Sequence, residues 1–332
     1  MFRFGTLGAA NITPRALIYP VMDEPGVSVY AIAARARDRA EAFAHHHHIP
    51  KVLSTYEAVA EHDKIDALYN PLHIPAHKDY TLHALAAGKH VLCEKSLACN
   101  AAEAEAMATA ADAAGRILMD AFHYRYHPVF MRAREIYASG ELGDIETIDA
   151  AFHIPVTDPN GIRMVYGLGG GVTMDIGCYP ISWVRHISAE EPVVTAATAE
   201  TGPPHVDVVL KTEMSLPSGI RATTSGDMRP ETSFAAYLTV TGSRGRMHVR
   251  NPLAPQAGHA IEVSVAGKDR HEVLDRRPTY SYQLDAFLAA VADGAPPLTD
   301  GWDGVRQMQV IDAAYQAAGL PLRGQDEAQL SP

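Results

Sequence analysis

Short apolar runs alternate with alanine-rich stretches of helical pattern over the first 120 residues of the chain. Glycines close two of the helical patterns, at Gly88 and Gly115, and Thr13 before Pro14 is the expected N-cap of the first. The predicted strands are Phe2–Leu7, Val27–Ala33, Ala67–Tyr69, His90–Cys93 and Ile117–Asp120. The predicted helices are Pro14–Met22, Asp38–Ala44, Tyr56–His62, His77–Ala87 and Ala101–Ala114. This alternation predicts βαβ units and a parallel sheet.

The pattern changes after Phe122. Seven β-rich runs follow one another between Val193 and Leu274, separated by turn signals such as Pro217-Ser218-Gly219. Because such connections form hairpins, they predict a mostly antiparallel sheet. The other predicted elements are a strand at Ile145–His153 and helices at Pro128–Ser139, Thr173–His186, Ser281–Ala292 and Asp303–Ala318. We therefore predict an α/β protein with domains at 1–122 and 123–322 and a tail at 323–332.

The composition argues against several classes of protein: disordered, nucleic-acid-binding, membrane-spanning and secreted. The chain has 332 residues, 47% of them apolar, and a formal net charge of −11. The apolar fraction excludes wholesale disorder, and the acidic balance argues against nucleic-acid binding. No apolar run approaches the roughly 20 residues that span a membrane, and the N-terminus lacks a secretory layout. Three cysteines (Cys93, Cys99 and Cys178) form no disulfide framework, which predicts a reducing cytoplasm.

A glycine-containing turn follows the first predicted strand, with the sequence Gly5-Thr6-Leu7-Gly8-Ala9-Ala10-Asn11-Ile12. A turn of this kind before a helix lets the backbone approach a pyrophosphate, and the helix N-terminus adds N–H donors. Ala10 stands where the usual dinucleotide fingerprint has glycine. The alternative interpretation is an ordinary tight strand-to-helix turn.

The second predicted strand ends in Ala33-Ala34-Arg35, where an NAD-preferring site usually carries Asp or Glu. A small residue followed by arginines, with Arg39 nearby, suits a 2′-phosphate, which needs room and a forked donor. The alternative is a solvated helix start with surface arginines.

Lys95 follows Glu94 at the end of the fourth of the five strands predicted before Phe122. Ligands of open α/β sheets bind at the carboxyl ends of the strands, so Lys95 is a candidate for chemistry. A salt-bridged lysine at a sheet edge is the alternative.

Asp175 and Tyr179 follow the glycine-rich segment Gly169-Gly170-Gly171. If the chain is helical from Thr173, the two side chains are four residues apart on one face. A carboxylate and a phenol placed so can hold a hydroxyl and move its proton. A buried Tyr–Asp hydrogen bond in a core helix is the alternative.

Five segments together resemble the glucose–fructose oxidoreductase/inositol dehydrogenase (Gfo/Idh/MocA) family over nearly the whole chain. They are GTLGAANI, AGKHVLCEKS, AFHYRYHP, GGGVTMDIGCYP and QLDAFLAAVADGAPPLTDG. Ser96 replaces the proline of the family's Glu-Lys-Pro signature, which removes a restraint on φ after Lys95. Within the family, the chain is most similar to NADP-using sugar and dihydrodiol dehydrogenases.

The resemblance implies a Rossmann domain at 1–122 and a substrate-binding and oligomerisation domain at 123–322 with a large, open-faced sheet. It implies NADP-dependent (or NAD-dependent) hydride transfer to or from a sugar, polyol or related secondary alcohol or ketone. Lys95, Asp175 and Tyr179 match the catalytic positions, with Tyr179 as the proton-transfer group and Lys95 stabilising the tyrosinate. These three residues and His153 are the expected substrate ligands. The expected cofactor ligands are Gly8, Ala9, Ala10, Asn11, Ile12, Ala34, Arg35, Arg39, Pro71, Leu72, His77, Glu94, Lys95 and Arg125.

Two other functions stay open at this point. One is a non-catalytic nucleotide-binding regulator, since some members of the family have lost catalytic residues. The other is an enzyme that keeps its nicotinamide bound and performs net non-redox chemistry.

Two further expectations concern partners. The β-rich runs of the second domain carry small and apolar residues at both parities, so we predict that one sheet face is buried in a homodimer or higher homo-oligomer. The alternative is a monomer whose open face carries Thr, Ser and Lys. We do not expect the run His45–His48 to bind a metal, because four adjacent histidines on a helix cannot all reach one ion.

Overall fold

The computed structural model describes residues 1–325. These residues form two compact units. The first unit contains Met1–Phe122 and Tyr280–Val305, and the second contains His123–Thr279 and the described residues from Arg306 onward. The boundaries predicted from the sequence placed all of 123–322 in one domain. In the structure, Tyr280–Val305 belongs to the first unit instead.

A six-stranded parallel sheet forms the centre of the first unit, with strand order β3-β2-β1-β4-β5-β6. Its strands are β1 (Phe2–Leu7), β2 (Val27–Ala33), β3 (Lys51–Val52), β4 (Ala67–Asn70), β5 (His90–Cys93) and β6 (Leu118–Asp120). Its first five helices are α1 (Tyr19–Met22), α2 (Arg37–His47), α3 (Tyr56–Ala60), α4 (His77–Ala86) and α5 (Ala101–Ala114). The strand order reverses between β1 and β4, which is where doubly wound folds bind dinucleotides.

Local signals explain most of these elements. The Asn100 side chain accepts from the backbone N–H of Glu103 over 3.0 Å and caps α5, which Gly115 ends with φ of +59°. The first predicted helix differs, because Pro14–Ile18 is a π-helical turn that precedes the short α1. Thr13 has helical backbone angles and no capping hydrogen bond, so the predicted N-cap is wrong.

The second unit is built on an eight-stranded sheet with order β14-β13-β12-β11-β7-β10-β9-β8. Its strands are β7 (Ile145–His153), β8 (Val193–Thr201), β9 (Asp207–Ser215), β10 (Arg221–Asp227), β11 (Ala235–Gly242), β12 (Gly245–Arg250), β13 (Ala260–Val265) and β14 (Lys268–Glu272). All neighbours are antiparallel except β7 and β10, which are parallel. The helices α6 (Pro128–Ala138) and α7 (Cys178–Ser188) pack against each other, and α7 packs on β7 and β10. The fold class predicted from the sequence is confirmed.

One face of this large sheet is polar. Along β10, Ala222 and Thr224 are buried while Arg221 and Thr223 are exposed. On the face of Thr223, Asp149 of β7 accepts from the Thr223 hydroxyl over 2.6 Å. The premise that both faces carry small and apolar residues is therefore wrong, and the homo-oligomer stays a prediction without that support.

The chain returns to the first unit near its end. Helix α8 (Thr279–Asp293) and the start of α9 (Gly301–Ala317) carry this return. Phe287 of α8 is buried, and its ring lies 5.6 Å from that of Phe4 in β1. Beyond α9, Arg323 is fully buried, although the sequence analysis assigned it to the tail. The remainder of that predicted tail, 326–332, lies outside the described residues.

Candidate active site

The turn after β1 has the geometry that a dinucleotide requires. Gly8 has φ of +79°, a conformation that favours glycine, and a Cβ there would also make a tight 3.1 Å contact with Leu72 Cδ2. The backbone N–H of Gly8 donates to Ala33 O over 2.7 Å and fixes the turn beside β2. Within residues 1–325, the buried hydroxyl of Thr13 and the buried Nδ1 of His73 have no hydrogen-bond partner. Because buried polar atoms need partners, these residues fit a ligand rich in hydroxyls and phosphates.

The two predicted 2′-phosphate arginines have different surroundings. Arg39 donates through Nη2 to the Ala9 carbonyl over 2.8 Å, so it braces the turn after β1. Arg35 is exposed, and its charge adds to burial in lowering the pKa of His73. Arg35 is therefore the better candidate for a phosphate ligand, close to the carboxyl ends of β2 and β4.

Lys95 lies just beyond β5, in a turn that buried neighbours fix in place. Glu94 is buried and accepts from the Tyr69 hydroxyl over 2.8 Å. The His77 ring places Nδ1 3.0 Å from Ser96 O and Nε2 2.9 Å from Leu72 O. Burial lowers the pKa of His77 to about 4, although the two carbonyl oxygens oppose this. His77 thus joins the segment after β4 to the segment that carries Lys95, whose peptide bond to Ser96 is cis.

In the second unit, Asp175 lies in a π-helical turn, Thr173–Gly177, and α7 begins only at Cys178. The predicted continuous α-helix is therefore wrong at its start, and i, i+4 spacing does not describe this turn because a π-turn is wider. Asp175 forms an ion pair with Nε of Arg163. The carboxylate thus lies directly beside a half-exposed guanidinium.

Tyr179 lies in the first turn of α7 with 5% of its surface exposed. Its hydroxyl is 3.4 Å from Nε2 of His123, and Nδ1 of His123 is 2.7 Å from the Thr279 hydroxyl. The ring lies among other aromatic side chains, with centroids 5.8 Å from Phe152 and 6.3 Å from Trp183. This arrangement can pass a proton from the phenol through an imidazole.

Two other predicted residues of the second unit have defined partners. His153 Nε2 is 2.9 Å from the Ser225 hydroxyl, and burial lowers the pKa of His153 while Asp227 opposes this. Arg125, predicted to bind cofactor, is buried and lies over the Phe130 ring at 5.7 Å.

Three residues that contact predicted site residues were not themselves predicted as site residues: His123, Arg163 and Tyr69. His123 was within the quoted AFHYRYHP segment, but no periodicity links it to Tyr179, 56 residues later. Arg163 lies in a single 3₁₀ turn, Ile162–Met164, between β7 and the π-turn. Tyr69 has the pattern of an ordinary strand residue. The roles of these three side chains are visible only from contacts in the folded structure with residues distant in sequence.

No group of three His, Cys, Asp or Glu side chains within residues 1–325 could hold a metal ion. Over the same part of the chain, no helix combines the length and the apolar character needed to cross a membrane. The three cysteines are buried, and none of them forms a disulfide.

Two family models match the chain. The model of the Gfo/Idh/MocA oxidoreductase family with an NAD-binding Rossmann fold matches residues 2–122, and the GFO/IDH/MocA C-terminal domain matches residues 130–248. The chain belongs to this family. The family predicted from the sequence motifs and the prediction of an oxidoreductase are therefore confirmed.

Characterised relatives cover almost the full chain. D-xylose 1-dehydrogenase (NADP(+)) 2 from Haloferax volcanii is 35% identical over 320 residues, spanning 95% of this chain and 97% of the relative. The structure of an aldose-aldose oxidoreductase from Caulobacter crescentus with glycerol has a TM-score of 0.88 at 25% identity, covering 96% and 97% of the two chains.

A third similar structure is a 3-ketoreductase from Actinomadura kijaniata in complex with NADP and TDP-benzene. Its TM-score is 0.88 at 28% identity, and the match covers 95% of this chain and 97% of that one. Structures of the same ketoreductase with a lysine replaced by alanine or glutamate, or a tyrosine by phenylalanine, are also similar to this chain.

Proposed function

We propose that this chain transfers hydride between NADP(H) and a sugar, polyol or related secondary alcohol or its carbonyl form. The observation that carries the proposal is the turn Thr173–Gly177 with α7. It presents Asp175, paired with Arg163, and the buried phenol of Tyr179, which is within hydrogen-bond distance of His123. The NADP-dependent xylose dehydrogenase and the NADP-bound ketoreductase support the cofactor and the substrate class.

Tyr179 is the proposed acid/base group. In the oxidation direction, it takes the proton of the substrate hydroxyl, and in the reduction direction it returns the proton to the carbonyl oxygen. His123 accepts a hydrogen bond from the phenol or donates one to it, so it can share the proton.

Lys95 is proposed to supply positive charge to the same step. An ammonium favours an ionised phenol and a developing alkoxide because opposite charges attract. The buried contacts of Glu94 and Ser96 on either side hold the backbone of Lys95.

Asp175 is proposed to accept a hydrogen bond from a substrate hydroxyl and so orient the reacting carbon. His153 is a further proposed substrate ligand. An ionised carboxylate accepts hydroxyl hydrogen bonds that are shorter and stronger than those of neutral groups. The ion pair with Arg163 fixes the position of this carboxylate.

Bound NADP supplies or accepts the hydride at the nicotinamide C4. The residues proposed to bind it are the turn at Gly8–Ile12, Ala34 and Arg35, together with Pro71, Leu72 and Lys95. Ala34 leaves room for a 2′-phosphate, and the exposed Arg35 guanidinium supplies forked donors to it. Arg39, His77 and Glu94 are proposed to support the cofactor site indirectly. They hydrogen-bond to Ala9, Leu72 and Tyr69, respectively.

A panel of aldoses, polyols and cyclic diols tests the function directly. Each compound is assayed by absorbance at 340 nm, with added NADP⁺ and NAD⁺ in parallel. We expect turnover with at least one compound and a higher kcat/KM with NADP⁺. Substrate conversion without change in the absorbance of added cofactor would instead show non-redox chemistry on a retained nicotinamide. Nucleotide binding without conversion of any compound would show a regulatory protein.

We also propose that the chain works in the cytoplasm as a homo-oligomer. The three cysteines of the chain are buried and form no disulfide, which supports a reducing compartment. The argument for an oligomer is that α7 packs on one face of the large sheet of the second unit, which leaves the other face available to a second copy.

A further inference from the structure

A buried ion pair lies behind the π-turn that carries Asp175. The carboxylate of Asp207, at the start of β9, accepts at Oδ2 from the backbone N–H of Thr173 over 2.9 Å and from the Thr173 hydroxyl over 2.6 Å. Its other oxygen, Oδ1, accepts from Nη2 of Arg323 over 2.6 Å. Both side chains of the pair are 0% exposed.

Arg323 makes a second directional contact with the same segment. Its Nε donates to Gly170 O over 2.8 Å. Its guanidinium lies between two aromatic rings, 4.8 Å from the centroid of Tyr166 and 4.5 Å from that of Tyr315. The stacking fixes the plane of the guanidinium, so the direction of both hydrogen bonds is set.

Gly171 lies between the two anchored points, Gly170 and Thr173. It has φ of +132°, and a Cβ there would lie 2.1 Å from Asp207 Oδ1 and 2.6 Å from Arg323 Nη2. The close approach of the ion pair to the backbone is therefore possible only with glycine at this position. Gly171 O in turn accepts from the backbone N–H of Asp175 over 3.1 Å.

Stability by itself does not explain a buried ion pair, because the loss of hydration offsets much of the attraction between the two charges. Two charges removed from water lose their hydration, and well-packed apolar residues of the same volume often stabilise a fold equally well. What a buried ion pair adds is direction, because its charge-assisted hydrogen bonds are short and have a defined geometry. The partners here are the backbone groups that begin the π-turn.

We propose that Arg323 and Asp207 are positioning residues, through which the segment after α9 sets the placement of Asp175 and Tyr179 for reaction. This inference rests on the proposed function of those two residues. The pair touches neither substrate nor cofactor by this proposal, and acts through Gly170 and Thr173.

Three variants separate positioning from stability: Arg323→Met, Arg323→Lys and the double variant Asp207→Asn/Arg323→Met. The single methionine variant leaves a buried carboxylate unpaired and is expected to lower the thermal midpoint strongly. The double variant removes both charges, so we expect it to recover most of the midpoint. Arg244→Met is the matched control, because Arg244 is an exposed arginine that also donates to a backbone carbonyl, that of Gly140.

In the double variant, we expect kcat to fall at least about tenfold while the NADP dissociation constant stays within about twofold, because small misplacements of reacting groups cost rate. Arg323→Lys keeps the charge near Asp207 but cannot serve Gly170 O in the same way, so its kcat should be intermediate. Wild-type kcat in a folded double variant would overturn the proposal and leave the pair a structural one.

Fluorescence gives a readout that does not depend on turnover. Trp183 is buried in α7, one turn beyond Tyr179, and Trp302 is the other tryptophan of the chain. In a Trp302→Phe background, we expect the double variant to shift the emission of Trp183. Unchanged Trp183 emission would contradict a displaced turn.

Tyr179→Phe, measured with the same substrate, distinguishes the two proposals. If it loses kcat and the double variant does not, only the positioning role fails. If it keeps kcat while the double variant loses it, the phenol is not the proton carrier, and the positioning role holds through Asp175.

Discussion

The imidazole of His77 lies 3.0 Å from the carbonyl oxygen of Ser96, the residue that follows Lys95. The same ring reaches Leu72 O at 2.9 Å, so one buried side chain ties together two segments at the carboxyl edge of the parallel sheet. A neutral imidazole can donate to only one of the two carbonyls. Its protonation state therefore bears on stability.

Acid should destabilise the protein through His77. Its pKa is about 4 in the folded chain against 6.5 for an ordinary histidine. The unfolded chain therefore binds the extra proton more readily, and stability falls as the pH drops from about 6.5 to about 4, by up to about 3 kcal/mol. The measurement is the thermal midpoint against pH for wild type and His77→Gln.

We expect the acid-induced loss to be smaller in His77→Gln, because glutamine does not titrate. His83→Gln is the matched control, since His83 is on the same helix but exposed and bonded to Glu61. An identical pH dependence in wild type and His77→Gln would remove His77 as the cause.

Cofactor preference should depend on Ala34 and Arg35. Ala34→Asp places a carboxylate where a 2′-phosphate would lie, so we expect the NADP dissociation constant to rise at least about tenfold. The same aspartate can accept from a ribose hydroxyl, so NAD should bind more tightly than in wild type. Titrations of both cofactors against protein fluorescence measure this.

Arg35→Met should weaken NADP but leave NAD nearly unchanged, because only NADP carries the 2′-phosphate. Arg37→Met is the control, since Arg37 pairs with Glu41 over 2.8 Å on the exposed side of α2. Tighter binding of NAD than NADP by the wild-type protein would reject the assignment.

Tyr179→Phe should lose about 10²–10⁴-fold in kcat, the usual contribution of a positioned acid/base group. Cofactor affinity should change little, because the phenol acts on the proton and not on the pyrophosphate. Lys95→Ala should show the same pattern. Steady-state kinetics with the best substrate of the panel, combined with cofactor titration, give both quantities.

Tyr124→Phe is a matched control for the loss of a buried phenol. Tyr124 lies in the same aromatic cluster, and its hydroxyl bonds to Ser182 over 2.7 Å and His186 over 2.9 Å. This variant should lose stability but keep kcat within severalfold. Near-wild-type kcat in Tyr179→Phe would direct attention to His123 or His153 as the acid/base.

Asp175→Asn should raise the substrate KM at least about tenfold, because a neutral amide accepts weaker hydrogen bonds from substrate than a carboxylate does. The cofactor dissociation constant should stay unchanged, because Asp175 is not a proposed cofactor ligand. Its thermal stability should change by less than about 1 kcal/mol, since the lost ion pair with Arg163 is partly exposed. Asp158→Asn, in the exposed segment before Arg163, is the control. A KM unchanged by Asp175→Asn would speak against a substrate-binding role.

The mass in solution tests the predicted homo-oligomer. We expect light scattering at low micromolar concentration to give at least twice the 35.8 kDa of one chain. The polar face that carries Asp149 and Thr223 would then form a wet interface with many hydrogen bonds. A single species with the mass of one chain would support the monomer with a solvated sheet face.

Local patterns were sufficient to predict most elements. β1, β2, β5 and β7 have the predicted bounds, because each is an apolar or alternating run with turn residues on both sides. The π-turn at Thr173–Gly177 was not predictable in this way. It is anchored by Asp207, 34 residues later, which is in turn held by Arg323, a further 116 residues along.

The same distinction applies to the candidate site. Gly8, Lys95 and Tyr179 are recognisable from motifs because each lies next to its own signature. Their supporting contacts are not, since Tyr69 and His123 act across distances of 25 and 56 residues in sequence. The polar sheet face was misjudged because alternate positions in a run do not show which parity faces solvent until the register is known.

The return of the chain to the first unit has a consequence for how the protein is made. Asp120 at the end of β6 donates its backbone N–H to Thr299 O over 2.8 Å, and the Thr299 hydroxyl donates back to Asp120 O over 2.7 Å. Proteins are synthesised from the N-terminus, and a domain folds once all of its residues are available. The nucleotide-binding unit contains Met1–Phe122 but also needs Phe287 and Thr299, so its last core contacts form only after synthesis has passed Thr299.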